Sequence, residues 1–295
     1  MTSQEAETLL IGSAGLVGAA LRRALAGRSF VATAHERAVE GALPLDVRDA
    51  GALRSLIRRT RPRAVILAAA VAYVERCEVA PDATRAVNVE PARILAEEAG
   101  ELGATLVVFS SEYVFDGAGG RERVEGDVVA PLNEYGRQKV ELERVARTAG
   151  AHLVCRTSGV FGPEDARKNF VLSLVDSLRA GRAYTVPSDQ LITPTYAPAL
   201  ARAIIDLLDA RATGTVHTCG PRVMQRTEFA GDVAAAFGLR GDLLRPRPTV
   251  ELGLAARRPL SAGLSDDRLR ELLGHGLPEP MAALREMRLL EAQGS

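Results

Sequence analysis

Residues 8–18 read T-L-L-I-G-S-A-G-L-V-G. A short apolar run ends on Gly12, and Gly15 and Gly18 follow at intervals of three. Such a run is a buried-strand signal, and a helical pattern continues from it to about Gly27. A strand that turns through glycines directly into a helix leaves few folds open. The chain must turn tightly, its backbone must approach a neighbour closely, and the helix must pack near the strand. Amide groups at the helix N-terminus then attract an anion such as a pyrophosphate. The spacing G-x-x-G-x-x-G departs from the usual dinucleotide fingerprint G-x-G-x-x-G. We expect Gly12, Gly15, Leu16, Val17 and Gly18 to cradle a dinucleotide. The competing reading is a tight turn between two packed elements.

The rest of the first half repeats the alternation. Apolar runs at 30–34, 64–70, 105–111 and 152–158 predict strands, and 49–61, 82–102 and 132–149 predict helices. Asp49 suits an N-cap, and Pro62 lies just past the end of that helix. Apolar strands between helices imply a parallel sheet covered on both faces. After residue 158 the loops lengthen and gain Pro and Gly, with helical patterns at 169–180, 198–210, 226–238 and 266–273. The expected fold class is therefore α/β. It comprises a Rossmann-type doubly wound parallel sheet and a smaller C-terminal substrate-binding α/β unit. Residues 1–158 form the dinucleotide-binding domain. Residues 159–295 are mainly substrate-binding, with some segments returning to the sheet.

Composition narrows the function. With 37 basic and 37 acidic residues the net charge is zero, and no basic stripe suggests nucleic acid or a membrane surface. No apolar run reaches the ~18 residues of a membrane span. The segment 9–21 resembles a signal-peptide core, but its flank is acidic (Glu5, Glu7) and glycines interrupt it. We expect a cytoplasmic protein. Cys77, Cys155 and Cys219 form no C-x-x-C pair and read as reduced packing residues. The four histidines lack ligand spacing, so no metal site is expected.

The end of the second strand selects the cofactor. An acid there binds the ribose hydroxyl of NAD, and an Arg accommodates the 2′-phosphate of NADP. The chain continues Thr33-Ala34-His35-Glu36-Arg37, so His35 and Arg37 favour NADP(H) over NAD(H), although Glu36 blurs the choice. Asp46 and Val47 lie where an adenine edge could be held; a helix N-terminal charge is the alternative for Asp46.

Only two lysines occur, Lys139 and Lys168. Lys139 follows Tyr135 by four residues, so both share one face of the 132–149 helix. A tyrosine that protonates a carbonyl near neutrality needs its pKa lowered from 10 by ~3 units, about 4 kcal/mol of phenolate stabilisation. A buried ammonium and a positive nicotinamide ring can supply it. Ser111 ends the fourth strand at its C-terminal edge, where ligands bind in such sheets. A glycine loop, a strand-end Ser and Y-x-x-x-K, in that order, form a jointly specific set. The bland alternative for Tyr135 and Lys139 is a surface pair.

The combination resembles the extended short-chain dehydrogenase/reductases, on the dTDP-4-dehydrorhamnose reductase-like branch. The likeness runs from about residue 8 to 275. It rests on S-S-E-Y-V-F-D-G (110–117), P-L-N-E-Y-G-R-Q-K (131–139), R-T-S-G-V-F-G (156–162), S-D-Q-L-I-T-P-T-Y-A (188–197) and G-T-V-H-T-C-G-P (214–221). The resemblance implies a Ser111, Tyr135 and Lys139 triad, with Tyr135 and Lys139 also touching cofactor. It implies that Ala68, Ala69 and Ala70 run along the cofactor. It implies reduction of a nucleotide-linked 4-keto-6-deoxy sugar and is compatible with a homodimer. Glu112, Asn169, Gln190 and Thr193 are candidate substrate contacts, beside Ser111 and Tyr135. Lys168, Arg257 and Arg258 could meet a diphosphate. Asn88 reads as a structural hydrogen-bonder. Relatives of this branch usually show S-T-D-Y-V-F and carry Trp in R-T-S-W-V-Y-G. Here Ser111, Glu112 and Gly159 occupy those positions, and the chain has no Trp. Two other readings stand beside this one. One is a cofactor-binding regulatory subunit similar to the β-subunit of methionine adenosyltransferase. The other is a nucleotide-sugar epimerase or dehydratase.

Overall fold

The structure, a computed structural model, describes residues 7–293; Glu5 and the rest of residues 1–6 lie outside them. Six strands follow in chain order: β1 (Thr8–Ile11), β2 (Phe30–Ala34), β3 (Ala42–Pro44), β4 (Ala64–Leu67), β5 (Thr105–Ser111) and β6 (His152–Thr157). A seventh, Gly214–His217, comes from the second half of the chain and pairs with β6 at the sheet edge. All pairings are parallel, and the spatial order is the seventh strand, β6, β5, β4, β1, β2, β3. The order reverses between β1 and β4, so a crevice opens at their C-terminal ends.

Alternation along each strand builds two cores. Leu10, Ile66, Val107 and Leu153 face the helices Leu16–Ala24 and Ala197–Asp209. Leu9, Ile11, Val65, Leu67, Leu106 and Val108 face Ala50–Thr60 and Glu90–Leu102. Burying each such side chain contributes about 1.5–3 kcal/mol. Asp49 caps its helix as expected, accepting from the Ala52 amide at 2.9 Å.

The expected 82–102 helix is instead Pro81–Asn88 followed by Glu90–Leu102, with Val74–Val79 ahead of them. Pro91 explains the break: it has no N–H, and its ring crowds the carbonyl four residues earlier. The break leaves Asn88 at a corner, where its Nδ2 donates to Gln138 Oε1 at 2.8 Å and its Oδ1 accepts from the Val71 amide at 2.7 Å. Two strands of the main sheet were not expected. Ala42–Pro44 is a short edge strand, the one place where a proline fits a sheet. Gly214–His217 has only four residues, too few for a periodic signal.

The second half adds three short strand pairs: Val160–Phe161 with Thr195–Tyr196, Leu191–Ile192 with Met224–Gln225, and Tyr184–Pro187 with Leu244–Arg247. Helices Phe170–Arg179, Arg226–Phe237 and Pro280–Gln293 accompany them. Among the described residues, no helix is long and apolar enough to cross a membrane.

Candidate active site

The glycine loop joins β1 to the helix Leu16–Ala24 at the crevice. Gly12 adopts φ +93°, and a Cβ there would lie 2.5 Å from the Ala69 amide nitrogen. A Cβ on Gly18 would lie 2.0 Å from the Gly12 carbonyl oxygen. Both glycines are therefore required by the protein's own packing. Gly15 is different: its nearest neighbour would be the Gly12 oxygen at 4.0 Å. Open space beside an exposed backbone suits a ligand that comes close. Gly15→Ala is expected to leave stability unchanged within about 0.5 kcal/mol and to weaken dinucleotide binding. Gly18→Ala is expected to damage both, by at least about 1–3 kcal/mol in stability. Urea unfolding and fluorescence titration of NADPH separate the two outcomes.

Ala68 and Ala69 follow β4 and donate their amides to the Ile11 carbonyl at 2.8 and 3.0 Å, with Ala70 exposed beyond them. Arg37 reaches back to the loop, donating to the Ala14 carbonyl and pairing with Asp165 at 3.0 Å. A cavity of about 230 Å³ opens there, lined by Gly15, Leu16, Arg22, Arg23, Arg37 and Asp165 among others. The Arg22 Nε is buried without a hydrogen-bond partner. Three guanidiniums and an unmet donor beside an open glycine fit the phosphate groups of a dinucleotide. Sequence reasoning missed Arg22 and Arg23. Helical spacing from Gly15 and Gly18 was the available signal.

The adenine-side candidates are less open. Arg48 holds Asp46 through four hydrogen bonds of 2.6–3.0 Å, one from its backbone amide and three from its guanidinium, and this pairing lowers the Asp46 carboxyl to about 2. His35 lies 3.6 Å from the same carboxylate. Val47 is buried in the core, while Leu16 and Val17 pack against the other core as the first residues of their helix.

β5 ends at Ser111, and the helix Glu134–Ala146 lies against it. Asn133 caps that helix, accepting from Gly136 N at 2.9 Å, and ties it to the 257 loop by donating to the Arg257 carbonyl at 2.7 Å. A Cβ on Gly136 would lie 2.2 Å from the Tyr113 backbone carbonyl oxygen, so glycine after Tyr135 permits the close approach. The Tyr135 ring then packs edge-on against Tyr113 at 5.6 Å. Lys139, 3% exposed, donates to the Phe109 carbonyl at 2.8 Å, and its Nζ lies 5.4 Å from the Tyr135 ring centre. Ser111 Oγ donates to Glu112 Oε2 at 2.5 Å and lies close enough to the Tyr135 phenol to pull its pKa down. Ser111, Tyr135 and Lys139 thus converge.

The electrostatics depart from the expected tuning. Burial raises the Tyr135 phenol, Glu112 and Cys77 raise it further, and Ser111 pulls it down. Desolvation of the phenolate outweighs the help of Ser111. The phenol therefore stays protonated, the form a proton donor needs. Burial also raises Glu112 against the Ser111 hydrogen bond. Lys139 falls from a usual 10.5 to about 8 because burial penalises its charge.

That shift has a direction in stability. The folded pKa lies below the unfolded one, so between about pH 8 and 10.5 the unfolded chain holds more protons. This group's contribution to stability therefore rises across that window. Lys139→Met is expected to stabilise the ligand-free protein at pH 7 by roughly 1–3 kcal/mol, with the advantage shrinking towards pH 10.5. Urea midpoints at several pH values check it.

The remaining candidates do different work. Thr193 is fully buried, and its hydroxyl accepts from Leu264 N at 2.9 Å, fastening two loops. Gln190 donates to Thr249 at 2.9 Å and accepts from Arg226 at 3.1 Å. Asn169 caps Phe170–Arg179, accepting from Leu172 N at 3.3 Å and donating to the Gly162 carbonyl at 3.0 Å. Lys168 is exposed. Arg258 pairs with Glu75 and lies 5.8 Å from the Tyr113 ring centre. Among the described residues, no group of three or more His, Cys, Asp or Glu could hold a metal ion.

The family profile described as RmlD substrate binding domain matches residues 6–290. The chain belongs to this family. It lies among the extended short-chain dehydrogenase/reductases, on the dTDP-4-dehydrorhamnose reductase-like branch. It is 28% identical over 292 residues to the dTDP-4-dehydrorhamnose reductase of Escherichia coli (strain K12), covering 95% of this chain and 96% of the relative. It is 31% identical over 283 residues to methionine adenosyltransferase 2 subunit beta of Pongo abelii, covering 92% and 84%. Among solved structures, a dTDP-4-dehydrorhamnose reductase from Clostridium acetobutylicum superposes with TM-score 0.87 at 26% identity, covering 97% of this chain and 99% of the other.

Proposed function

We propose that this RmlD-family chain reduces a nucleotide-linked 4-keto-6-deoxy sugar with NADP(H), in the manner of a dTDP-4-dehydrorhamnose reductase. The observation that carries the reading is the convergence of Ser111, Tyr135 and Lys139 at the C-terminal edge of β5. When bound, the reduced nicotinamide supplies a hydride to the keto carbon. Tyr135 gives its phenolic proton to the keto oxygen. Ser111 donates to that oxygen and keeps it near the phenol. Lys139, fixed by the Phe109 carbonyl, places its charge beside the phenolate that results. Glycine residues 12, 15 and 18 hold the pyrophosphate. Arg22, Arg23 and Arg37 favour NADP, because β2 ends at Ala34 without an acid and Arg37 is anchored on the glycine loop. Residues 1–158 bind the dinucleotide and residues 159–295 mainly the sugar nucleotide, in the cytoplasm.

NADPH and NADH oxidation against dTDP-4-dehydro-6-deoxyhexoses tests this. Oxidation of NADPH, alone or in preference to NADH, is expected. Silence with both cofactors across the keto sugars would sink the reductase reading. The 31% identity to a regulatory subunit supports a second reading, a non-catalytic NADP-binding subunit. Tight NADP binding without turnover, and co-purification with an enzyme, would favour it. An epimerase or dehydratase returns its cofactor unchanged, so net NADPH consumption excludes that class.

A further inference from the structure

Glu112 follows the strand-end Ser111 directly and opens the short turn Glu112–Val114. Its carboxyl is buried, and among the described residues it forms no ion pair. What it does hold is Ser111, at 2.5 Å from Oγ to Oε2. A buried carboxylate without a cation beside it is costly, so the neutral acid is favoured. Burial accordingly raises Glu112 above the usual carboxylate range, against the pull of the Ser111 and Ser158 hydroxyls and the Arg226 charge. Tyr113, Tyr135 and Cys219 are the other ionisable groups that feel Glu112.

The donors and acceptors at Ser111 then decide where its hydrogen goes. A serine hydroxyl has one hydrogen to give and two lone pairs that accept. One lone pair takes the Tyr113 amide at 3.3 Å. While Glu112 is ionised, Ser111 gives its hydrogen to the carboxylate across the 2.5 Å contact. Its second lone pair is then open to the Tyr135 phenol, which lies close enough to feel it. Both hydrogens that a reduction needs are turned away from a substrate. Once Glu112 is neutral, the carboxyl hydrogen fills the second lone pair instead. Ser111 can then only donate outward, and the phenol finds no acceptor on it.

We propose that Glu112 is a positioning residue that acts in its neutral form, donating to Ser111 so that the Ser111 hydroxyl and the Tyr135 phenol both point their hydrogens at the keto oxygen. This rests on the reductase reading for the oxygen that receives them. No step is added to the reaction: Tyr135 still gives the proton, and Glu112 keeps its own.

Two measurements on the wild type, Glu112→Gln and Ser111→Ala test it. Infrared difference spectra between the wild type and Glu112→Gln read the carboxyl across pH. A carboxylic-acid band is expected at neutral pH, giving way to a carboxylate band as pH rises. Single-turnover NADPH oxidation of the wild type is expected to fall about a hundredfold as the acid band disappears, the cost of one donor lost from a developing oxyanion. Glu112→Gln keeps an amide donor at every pH. It is expected to escape that fall and to turn over faster than Ser111→Ala, showing only the change near pH 8 that Lys139 gives to both proteins. An ionised Glu112 at neutral pH would overturn the proposal. So would the same fall in both proteins, a Glu112→Gln rate no better than that of Ser111→Ala, or an effect confined to KM, which would make Glu112 a sugar contact only. If no keto sugar drives NADPH oxidation at any pH, the reductase reading falls. The infrared band then decides this inference alone: a neutral-acid band that shifts in Ser111→Ala leaves the hydrogen-bond arrangement standing, and an unshifted one overturns it.

Discussion

Tyr135→Phe is expected to bind NADPH much as the wild type does and to turn over about a hundred to ten-thousandfold more slowly. The loss corresponds to about 3–5 kcal/mol of transition-state stabilisation. Phe keeps the ring that packs edge-on against Tyr113, so the fold has no reason to change. What disappears is the hydroxyl beside Ser111. Because burial and Glu112 keep that phenol protonated, the wild type holds a proton donor through neutrality. Stopped-flow NADPH oxidation under single turnover reads the loss directly. A variant that kept wild-type turnover would remove Tyr135 from the mechanism and leave Glu112 as the nearest other acid.

Arg156→Met is expected to destabilise the protein by about 3–5 kcal/mol. Arg156 and Glu143 form a two-pronged pair, 2.8 Å at each contact, with side chains 3% and 2% exposed. Ser110 donates to the same carboxylate at 2.6 Å, so the pair ties β5 and β6 to the helix Glu134–Ala146 directly before Ser111. Burial acts to raise Glu143, but Arg156 wins and the carboxyl is lowered from its usual 4.5. A lowered folded pKa contributes stability above the unfolded value, lost as pH falls through the folded one. The deficit of Arg156→Met is therefore largest above about pH 4.5 and shrinks as the stranded carboxyl takes up a proton. Adding Glu143→Leu should restore part of the stability, because a well-packed apolar pair avoids the uncompensated charge. Urea unfolding of the single and double variants checks both statements. A single variant within about 0.5 kcal/mol of the wild type would mean the pair contributes nothing.

How much of this was legible beforehand follows from how far apart the interacting groups are. The glycine loop, the Asp49 cap and the shared face of Tyr135 and Lys139 each lie within a single turn or element. Local rules of period, capping and close approach govern them, and the residues themselves carry the signal. The strand-end Ser111 was legible because parallel strands expose their C-terminal ends on one edge. The broken helix at Val89 was also written in the chain, as Pro91, but the apolar pattern around it masked the break.

The sequence alone determined the alternation of elements, the glycine turn and the order of Ser111, Tyr135 and Lys139. Tertiary structure decided the rest, because burial and partner choice are properties of packed elements rather than of neighbours in the chain. Thr193 is buried with its hydroxyl taken by the amide of Leu264, 71 residues away, a partner no local pattern names. The phenol of Tyr135 rises because the fold excludes water around it, which no local pattern records. Arg226 resembles any other arginine of an arginine-rich chain until the fold sets it over Phe170 with its Nε buried and without a hydrogen-bond partner.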